Sequence, residues 1–581
     1  MHPSRTGVVL PARPFSKPFG VVAGAVLTIV AHTNGATINA PSSALVDVAS
    51  AIAQASDGDT VVVPAGTADW TSVLTITKGI TLLGATTVTN AGTQNPTVND
   101  LTIIKDDSPL NTTQSGLIQA RLNPSQSFRL SGFTFTHGSR TTANDVGVVH
   151  LTSGTASSPI FSMRVDHCHF DHIDGRNIQT DGWVYGVGDH NYLVAQGNGQ
   201  TFYINCANYS GKLLGHGAWA DFPWFGTNKF FFIEDNTIVG NGQYSTSGAI
   251  DGEYGARYVV RHNDFTNAKY GWHGTEGDNR GTRAVEAYNN SSHWTTVTPS
   301  TMNRSGTSLQ HDNTWGGTSS TDNSITHIMI YREMGAVSTT STYSSSDGTS
   351  AWDVNDTEGN GTSVQGHSPF LFDSGTSTST ALVGNNGTFT DSSKHWTPNQ
   401  WVGYSVKQTN PSAASYNKAS YIISNTADTI TYYVYTSGDR GPTLLFNSGD
   451  SYAIHRVLTA IDQGGRGKGD LISGSGSSAV NTVTGVPGWP HQALEPAFSW
   501  NNVFTPTNTA WRFLSPMPTE IEGRDYYNLG AGFAANSTPS QVSSTYIASL
   551  NGVAYTGTYI YPHPLVSNVP APPTNLRVAG P

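Results

Sequence analysis

FFIEDNTIVGNGQYSTSGAIDGEYGARYVVRHNDF, residues 231–265, carries one short pattern twice. Apolar residues alternate, a polar pair ends in Asn, and an apolar residue follows two positions on. The copies place Asn236 with Ile238 and Asn263 with Phe265, 27 residues apart. VEAYNNSS repeats the form after another 27 residues with Asn290, and SLQHDNTW after 23 more with Asn313. Upstream, GVGDHNYL supplies Asn191, and MRVDHCHF falls into register 23 residues earlier with Cys168 in the Asn position. FRLSGFTF, Phe128 to Phe135, is an earlier copy. A period of this length, with one short strand ending in a polar turn, predicts one coil of a parallel β-helix. Coils stack at roughly 4.8 Å, so equal positions form columns. Asparagines in one column form a ladder whose amides bond neighbouring backbone groups. The leucine pattern of a leucine-rich solenoid is absent, and a propeller needs longer blades.

Composition agrees with an all-β chain. Of 581 residues only 12% are charged, while Gly numbers 62; turn formers of this kind disfavour helices. Aromatic residues at 10% argue against disorder. The formal net charge of -11 disfavours nucleic acid and anionic membranes as partners. Residues 1–39 read as an export signal: Arg5, Arg13 and Lys17 precede the apolar run FGVVAGAVLTIVA, with small residues after it. That run is short for a membrane span. The expected location is therefore secreted or cell-surface, with no membrane insertion. Cys168 and Cys206 make no disulfide framework, and their pairing is open.

The stretch VDHCHFDHIDG, Val165 to Gly175, is rich in metal-ligand types. In register, however, Cys168 is a ladder position, and strand neighbours point to opposite faces. Counting back from each Asn position, the third and fifth residues are apolar and inward: Phe231 and Ile233, Tyr258 and Val260, Val285 and Ala287, Met163 and Val165. The second and fourth residues point outward, to solvent on this reading. The column two before reads Asp166, Asp189, Glu234, Arg261, Tyr288, His311, and the column four before contributes Arg164 and Glu286. The 45 residues between Asn191 and Asn236 leave space for two unassigned coils. The Trp-rich GHGAWADFPWFG there reads as a loop over the charged face.

The N-terminal stretch VASAIAQASDGDTVVVPAGTADW, running into LTITKGITLLGA, resembles the opening of the pectin-lyase-like superfamily. The resemblance implies a right-handed parallel β-helix that begins with a capping helix and a turn at Gly58 to Gly66. It spans roughly residues 43–370 and resumes from about 458. MRVDHCHF is similar to the Trp-Ile-Asp-His-Cys segment of pectate lyases at Asp166, His167 and Cys168, but their Arg-x-Pro-x-x-Arg motif is absent. GHG at Gly215–Gly217 is similar to polygalacturonases, whose Asn-Thr-Asp and Arg-Ile-Lys motifs are missing. The resemblance thus implies fold and leaves activity to the residues.

Cleaving a glycan needs two carboxylates about 5–9.5 Å apart, or a base beside cations that neutralise a uronate. The outward columns supply both kinds of group. The candidate catalytic set is Glu234, Arg261, His273, Arg283 and Glu286, with a glutamate as acid or base and the arginines holding a substrate carboxylate. Trp219, Trp224, Tyr288, Arg280 and His311 are the candidate substrate-binding residues. Asp166, Asp171 and Asp189 are the candidate ligands for a calcium ion, although no continuous calcium loop is evident and no cofactor is required by the sequence. The competing reading is a solvated salt-bridge ladder. Two functions follow: a secreted polysaccharide-degrading enzyme, lyase or hydrolase, or a non-catalytic glycan-binding or adhesive β-helix. Groups neutralised in pairs with no cleft would favour the second. The glycan and the oligomeric state are not legible.

The predicted organisation is an export signal (1–39), a parallel β-helix (40–373), a small inserted β-module (374–457), C-terminal coils and loops (458–566) and a Pro-rich tail (567–581). Within the module, Trp396 and Trp401 are read either as a sugar-stacking platform or as core. Asp462, Arg466 and Glu495 come from late loops and serve the site or form ion pairs.

Overall fold

The structure is a computed structural model. It describes residues 35–109, 116–139, 147–154, 158–206, 223–241, 247–271, 282–295, 302–303, 306–317, 324–327, 371–402, 404–416, 419–434, 444–455, 464–465, 495–515, 522–523, 525–548 and 555–567. The export signal before residue 35 and the tail beyond residue 567 lie outside the described residues, as do Trp219, His273, Arg280, Asp462 and Arg466.

The described chain is all-β, built on three long sheets of 12, 11 and 6 strands. The chain visits them in turn. Ile160–Asp166 lies in the first sheet, His169–Ile173 in the second and Ile178–Gly182 in the third. The next circuit runs Val184–Asp189, Tyr192–Ala195 and Gln200–Asn205, and the next Phe231–Glu234, Thr237–Val239 and Ala249–Glu253. Each strand pairs in parallel with its counterparts one circuit away, so Asp166, Asp189, Glu234, Arg261, Tyr288 and His311 form one column. The inward residues Met163, Val165, Phe231, Ile233, Tyr258, Val260, Val285 and Ala287 are all fully buried in one continuous core.

Asparagines pin the register at the corner between the first and second sheets. The backbone N–H of Asn191 donates to Asn236 Oδ1 at 2.9 Å, that of Asn236 to Asn263 at 3.0 Å, and that of Asn263 to Asn290 at 3.1 Å. The series runs on through Asn313 to Asn502. Each Nδ2 also donates to the next Oδ1 and to main-chain carbonyls; Asn263 Nδ2 reaches Ile233, Arg261 and Asn290. Cys168 heads the ladder, its N–H donating to Asn191 Oδ1 at 3.0 Å. The residue before each ladder position is left-handed: His167, His190, Asp235, His262, Asn289, Asp312 and Asn501 have φ between 50° and 56°. His, Asp and Asn are the non-glycine types that tolerate this region, which is why a polar pair, not Asn alone, recurs in the sequence.

One sequence expectation fails here. No circuit lies between Asn191 and Asn236, because Val184–Asp189 pairs directly with Phe231–Glu234. The extra length is insertion within one circuit, part of it outside the described residues. The ladder continues past Asn313 into the late segment: Thr307–His311 pairs with Ala497–Trp500, so Asn502 follows Asn313 in space across 189 residues of chain. Within that interval, Leu371–His455 forms a separate seven-stranded antiparallel sheet. Its own core includes Phe389, Trp396, Trp401, Ile430 and Tyr452. Trp396 donates Nε1–H to Asp373 Oδ2 at 2.6 Å. Both tryptophans are therefore core residues, not a sugar platform.

A helix, Leu45–Gln54, closes the N-terminal end with Val48, Ala51 and Ile52 buried. Lys78 Nζ donates to the carbonyls of Ile52, Ala53 and Ala55 at its C-terminus, where a cation is favoured. Among the described residues no helix is long and apolar enough to cross a membrane.

Replacing Asn263 by Leu removes the acceptor for two buried donors of Asn236 and leaves two further carbonyls short. At about 1–3 kcal/mol for each stranded polar group, we expect the variant to lose roughly 3 kcal/mol or more, read as a lower denaturant midpoint; an unshifted midpoint would contradict the ladder.

Candidate functional site

The outward charges of the first sheet are not in solvent. Glu234, Arg261 and Glu286 are at most 1% exposed. The cover is the C-terminal segment, which turns back after Tyr526–Asn528 and crosses the sheet toward the early circuits. Asn536 N–H donates to Asp312, and Ser537 O accepts from Trp500 Nε1 at 3.1 Å. Tyr555 donates to Glu286 Oε1 at 2.8 Å, and the carbonyls of Tyr559 and Ile560 accept from Arg261 at 2.8 and 3.0 Å. His563 N–H donates to Glu234 Oε1 at 2.8 Å, and Leu565 O accepts from Arg164 at 2.9 Å. Val187, Phe232, Val259, Leu309 and Phe498 share the column of Arg164 and Glu286 and form the apolar bed for this strap, with Val542, Tyr555, Tyr559 and Leu565 packed on them.

Beneath the strap the charges are closed in pairs. Arg129 makes two 2.7 Å bonds to Asp166. Arg164 bonds both oxygens of Asp189 at 2.8 and 2.7 Å. Arg261 Nε donates to Glu234 Oε2 at 2.6 Å and its Nη1 to Tyr288 at 2.8 Å. Arg283 pairs with Glu495, not with a member of this column. Tyr288, His311 and Trp500 stack in succession at 5.0 and 4.3 Å. Trp224 is 5% exposed, with Lys229 Nζ 3.4 Å from its ring centroid. Of the sequence-predicted site, Glu234, Arg261, Glu286, Tyr288 and His311 thus share one face, but as filler between sheet and strap. The proposed cation ligands do not converge: Asp166 and Asp189 are bound to arginines in the first sheet, while Asp171 lies in the second and bonds His172 at 2.5 Å. No metal-holding group occurs among the described residues. Cys168 and Cys206 are both free and buried.

Burial pushes the carboxyls of Glu234, Asp235 and Glu286 above the usual range, against the pull of Arg261. Burial and then Arg261 lower His262 and His563 to about 4. His262 stacks on Tyr561 at 3.7 Å and His563 packs on Phe232 at 4.8 Å, so both sit in the strap interface.

The third sheet has a different outer face, which sequence reasoning missed. Gln119, His150, Gln179, Tyr203 and Asp251 form one outward row, and Arg121, Thr152 and Asp181 begin a second. Asn205 and Glu253 pair two residues beyond Tyr203 and Asp251, continuing that second row. Arg176 lies 3.5 Å from the Tyr203 ring centroid and bonds Gln179 and Gln200. Tyr203 donates to Glu253, and Gln200 to Asp251 at 2.8 Å. Asp181 stands apart: it is fully buried, neither oxygen accepts a hydrogen bond, and its ionic contact is His150 Nε2 at 3.6 Å. It borders an open cavity of about 340 Å³ lined by Arg121, Asn123, Thr152 and Ser153. The sequence signal was present in IQAR, VHLT and IQTD, three alternating segments that carry no Asn and so escaped the repeat. Comparison with protein-family models, curated proteins and solved structures gives no match.

Two outcomes follow for the strap. Arg261→Ala leaves Glu234 buried without its cation and should cost about 3–5 kcal/mol, measured by equilibrium unfolding. The two histidines are neutral in the fold, so their contribution is full above pH 6.5 and is lost as pH falls toward about 4; the raised carboxyls act in the opposite sense. His563→Phe should therefore keep more of its neutral-pH melting temperature at about pH 4.5 than the native chain does. An equal loss in both proteins would show that His563 does not titrate there.

Proposed function

We propose that the stacked circuits form a right-handed parallel β-helix of the pectin-lyase-like kind, and that the chain is an exported protein that binds and cleaves a polysaccharide. The working surface is the outer face of the third sheet, not the first. The observation that carries this is the contrast between the two faces: on the first sheet each carboxylate is met by an arginine or by the strap, whereas on the third Asp181 is buried unbonded at an open cavity. Along its row, Asp181 and Glu253 stand two circuits apart, about 9.6 Å at the usual strand spacing. That lies at the upper end of the separation used by inverting hydrolases, which need space for a water between acid and base. The acidic net charge and the export-type N-terminus fit a carbohydrate partner outside the cell better than nucleic acid.

A second reading, a non-catalytic glycan-binding or adhesive protein, is favoured by the pairwise closure of the charges on the first sheet.

Incubation with a polysaccharide panel decides between them. New reducing ends report a hydrolase, the ultraviolet absorbance of an unsaturated uronate reports a lyase, and retention without either reports binding alone. Under the enzyme reading Glu253→Gln should lower turnover by at least about a hundredfold while the melting temperature stays close to native. A native rate would take Glu253 out of the mechanism.

A further inference from the structure

The left-handed corner residues form a column of their own, and its three histidines are placed differently. His262 lies under Tyr561 of the strap, ring on ring at 3.7 Å, and burial with Arg261 lowers it to about 4. His167 and His190, one circuit apart, stay partly open, with side chains 39% and 34% exposed. Their rings stack at 5.0 Å and lie 3° from parallel. A carboxylate only accepts, so His167 Nδ1–H donates to Asp166 Oδ2 at 2.8 Å and His190 Nδ1–H to Asp189 Oδ2 at 2.9 Å. Those bonds hold both rings and leave each Nε2 with no protein partner and open to solvent. The two covers of this corner meet further along the column. Tyr561 of the strap bonds Asp235 and stacks on His262. The tip of the hairpin 87–99 reaches the same two residues, where a Cβ on Gly92 would lie 3.2 Å from Asp235 Cα and from His262 O. Among the described residues, neither cover makes a hydrogen bond to His167 or His190.

We propose that His167 and His190 form a binding site for a tetrahedral oxyanion, a sulfate or phosphate group, held by their two Nε2–H donors. Nδ1 already carries a proton in each ring, so the second proton arrives on Nε2. Two parallel donors one circuit apart reach two oxygens of one anion with a small inward tilt, and hydrogen bonds between charged partners are the strong ones. The surrounding charges leave these imidazoliums in surplus. Asp166 and Asp189 are each bound by an arginine, Arg129 and Arg164, so those four cancel. The hairpin 87–99 brings no charged residue. The strap brings His563, which burial and then Arg261 lower to about 4 and so keep neutral. Asp235 stands on the far side of His190 from His167, partly buried and bonded by Tyr561. Burial opposes a charge on His190, but the hydrogen bond and charge of Asp189 outweigh it and raise the ring above its ordinary value. Two stacked imidazoliums repel, and a doubly charged anion across their edges offsets that repulsion. A metal ion does not fit the same atoms: parallel rings 5.0 Å apart cannot share an ion that needs about 2.0–2.1 Å to each nitrogen. The chain's net charge of -11 repels anions at large, so a bound anion requires a local site of this kind. The site lies away from the third sheet and does not rest on the glycan reading.

Calorimetric titration of the full chain with sulfate, at constant ionic strength in chloride, tests this, with histidine-labelled NMR to follow the two rings. Sulfate keeps its charge across the range used, so any pH effect belongs to the protein. Sulfate should bind saturably at about pH 5.5 and at least about tenfold more weakly at about pH 8, where Nε2 has lost its proton. Saturating sulfate should raise the titration midpoints of both rings, since a ligand that prefers the charged form favours it. His167→Asn and His190→Asn suit the left-handed backbone there, with φ of 50° and 53°. Each should weaken binding at least about tenfold while the melting temperature stays close to native. The pH dependence of the native chain needs no substitution, so it decides the matter even where a variant fails to fold. Galactose 6-sulfate that binds more tightly than inorganic sulfate assigns the group to a sulfated sugar, and equal affinities assign it to the free anion; both keep the site. Affinity unchanged between the two pH values, midpoints unmoved by sulfate, acetate binding as tightly as sulfate, or native affinity in both folded variants would each overturn it.

Discussion

The hydrogen bond from one asparagine to the next is the constraint on which the rest of the molecule depends. A parallel sheet alone fixes neither how far a strand slides along its neighbour nor where the chain leaves it. Here each carboxamide accepts from the main chain and the side chain of the preceding circuit and donates to carbonyls on its own and neighbouring circuits. A slip of one residue would strand a whole set of buried polar groups, each costly. The register is therefore held at one corner, and every outward column inherits it. Glu234 meets Arg261, and Tyr288 meets His311, because Asn236, Asn263, Asn290 and Asn313 are in line.

That inheritance explains how so much charge can be buried on the first sheet. Columns of groups at strand spacing make a regular face, and one returning segment satisfies much of it with its own backbone. The strap uses main-chain carbonyls on Arg164 and Arg261 and a main-chain N–H on Glu234. Backbone groups are available at any sequence, so the polar contacts place few demands on the strap. Its apolar residues bring the specificity, packing on Phe232, Val259 and Phe498. The pairing of Arg129, Arg164 and Arg261 with carboxylates leaves the strap little unpaired charge to cover, which limits the cost of removing that face from water.

The repeat and its register were legible because the ladder needs Asn, and the left-handed residue before it needs His, Asp or Asn. Both are rare, position-specific requirements that show in one sequence. The ladder member Asn502 was hidden only by distance along the chain, with a separate antiparallel module in the interval. The burial of the first sheet was legible and was misread. FFIE, YVVR and SLQH carry apolar residues at Phe232, Val259 and Leu309, positions that alternation sends outward. A strand apolar on both faces is covered on both faces, so those residues already implied a second layer. The third sheet was invisible for the opposite reason: its strands carry no obligatory turn residue, and alternation such as IQTD is common to any half-buried strand.

Burial by itself does not separate function from structure in such a molecule. Glu234 and Asp181 are both fully removed from solvent. They differ in what answers them. Glu234 has a guanidinium and a main-chain N–H supplied by the chain itself, whereas Asp181 has a histidine at 3.6 Å and no hydrogen bond. A carboxylate that accepts no hydrogen bond is the costlier of the two to bury, so the same degree of burial is a settled contact at Glu234 and an unsettled one at Asp181.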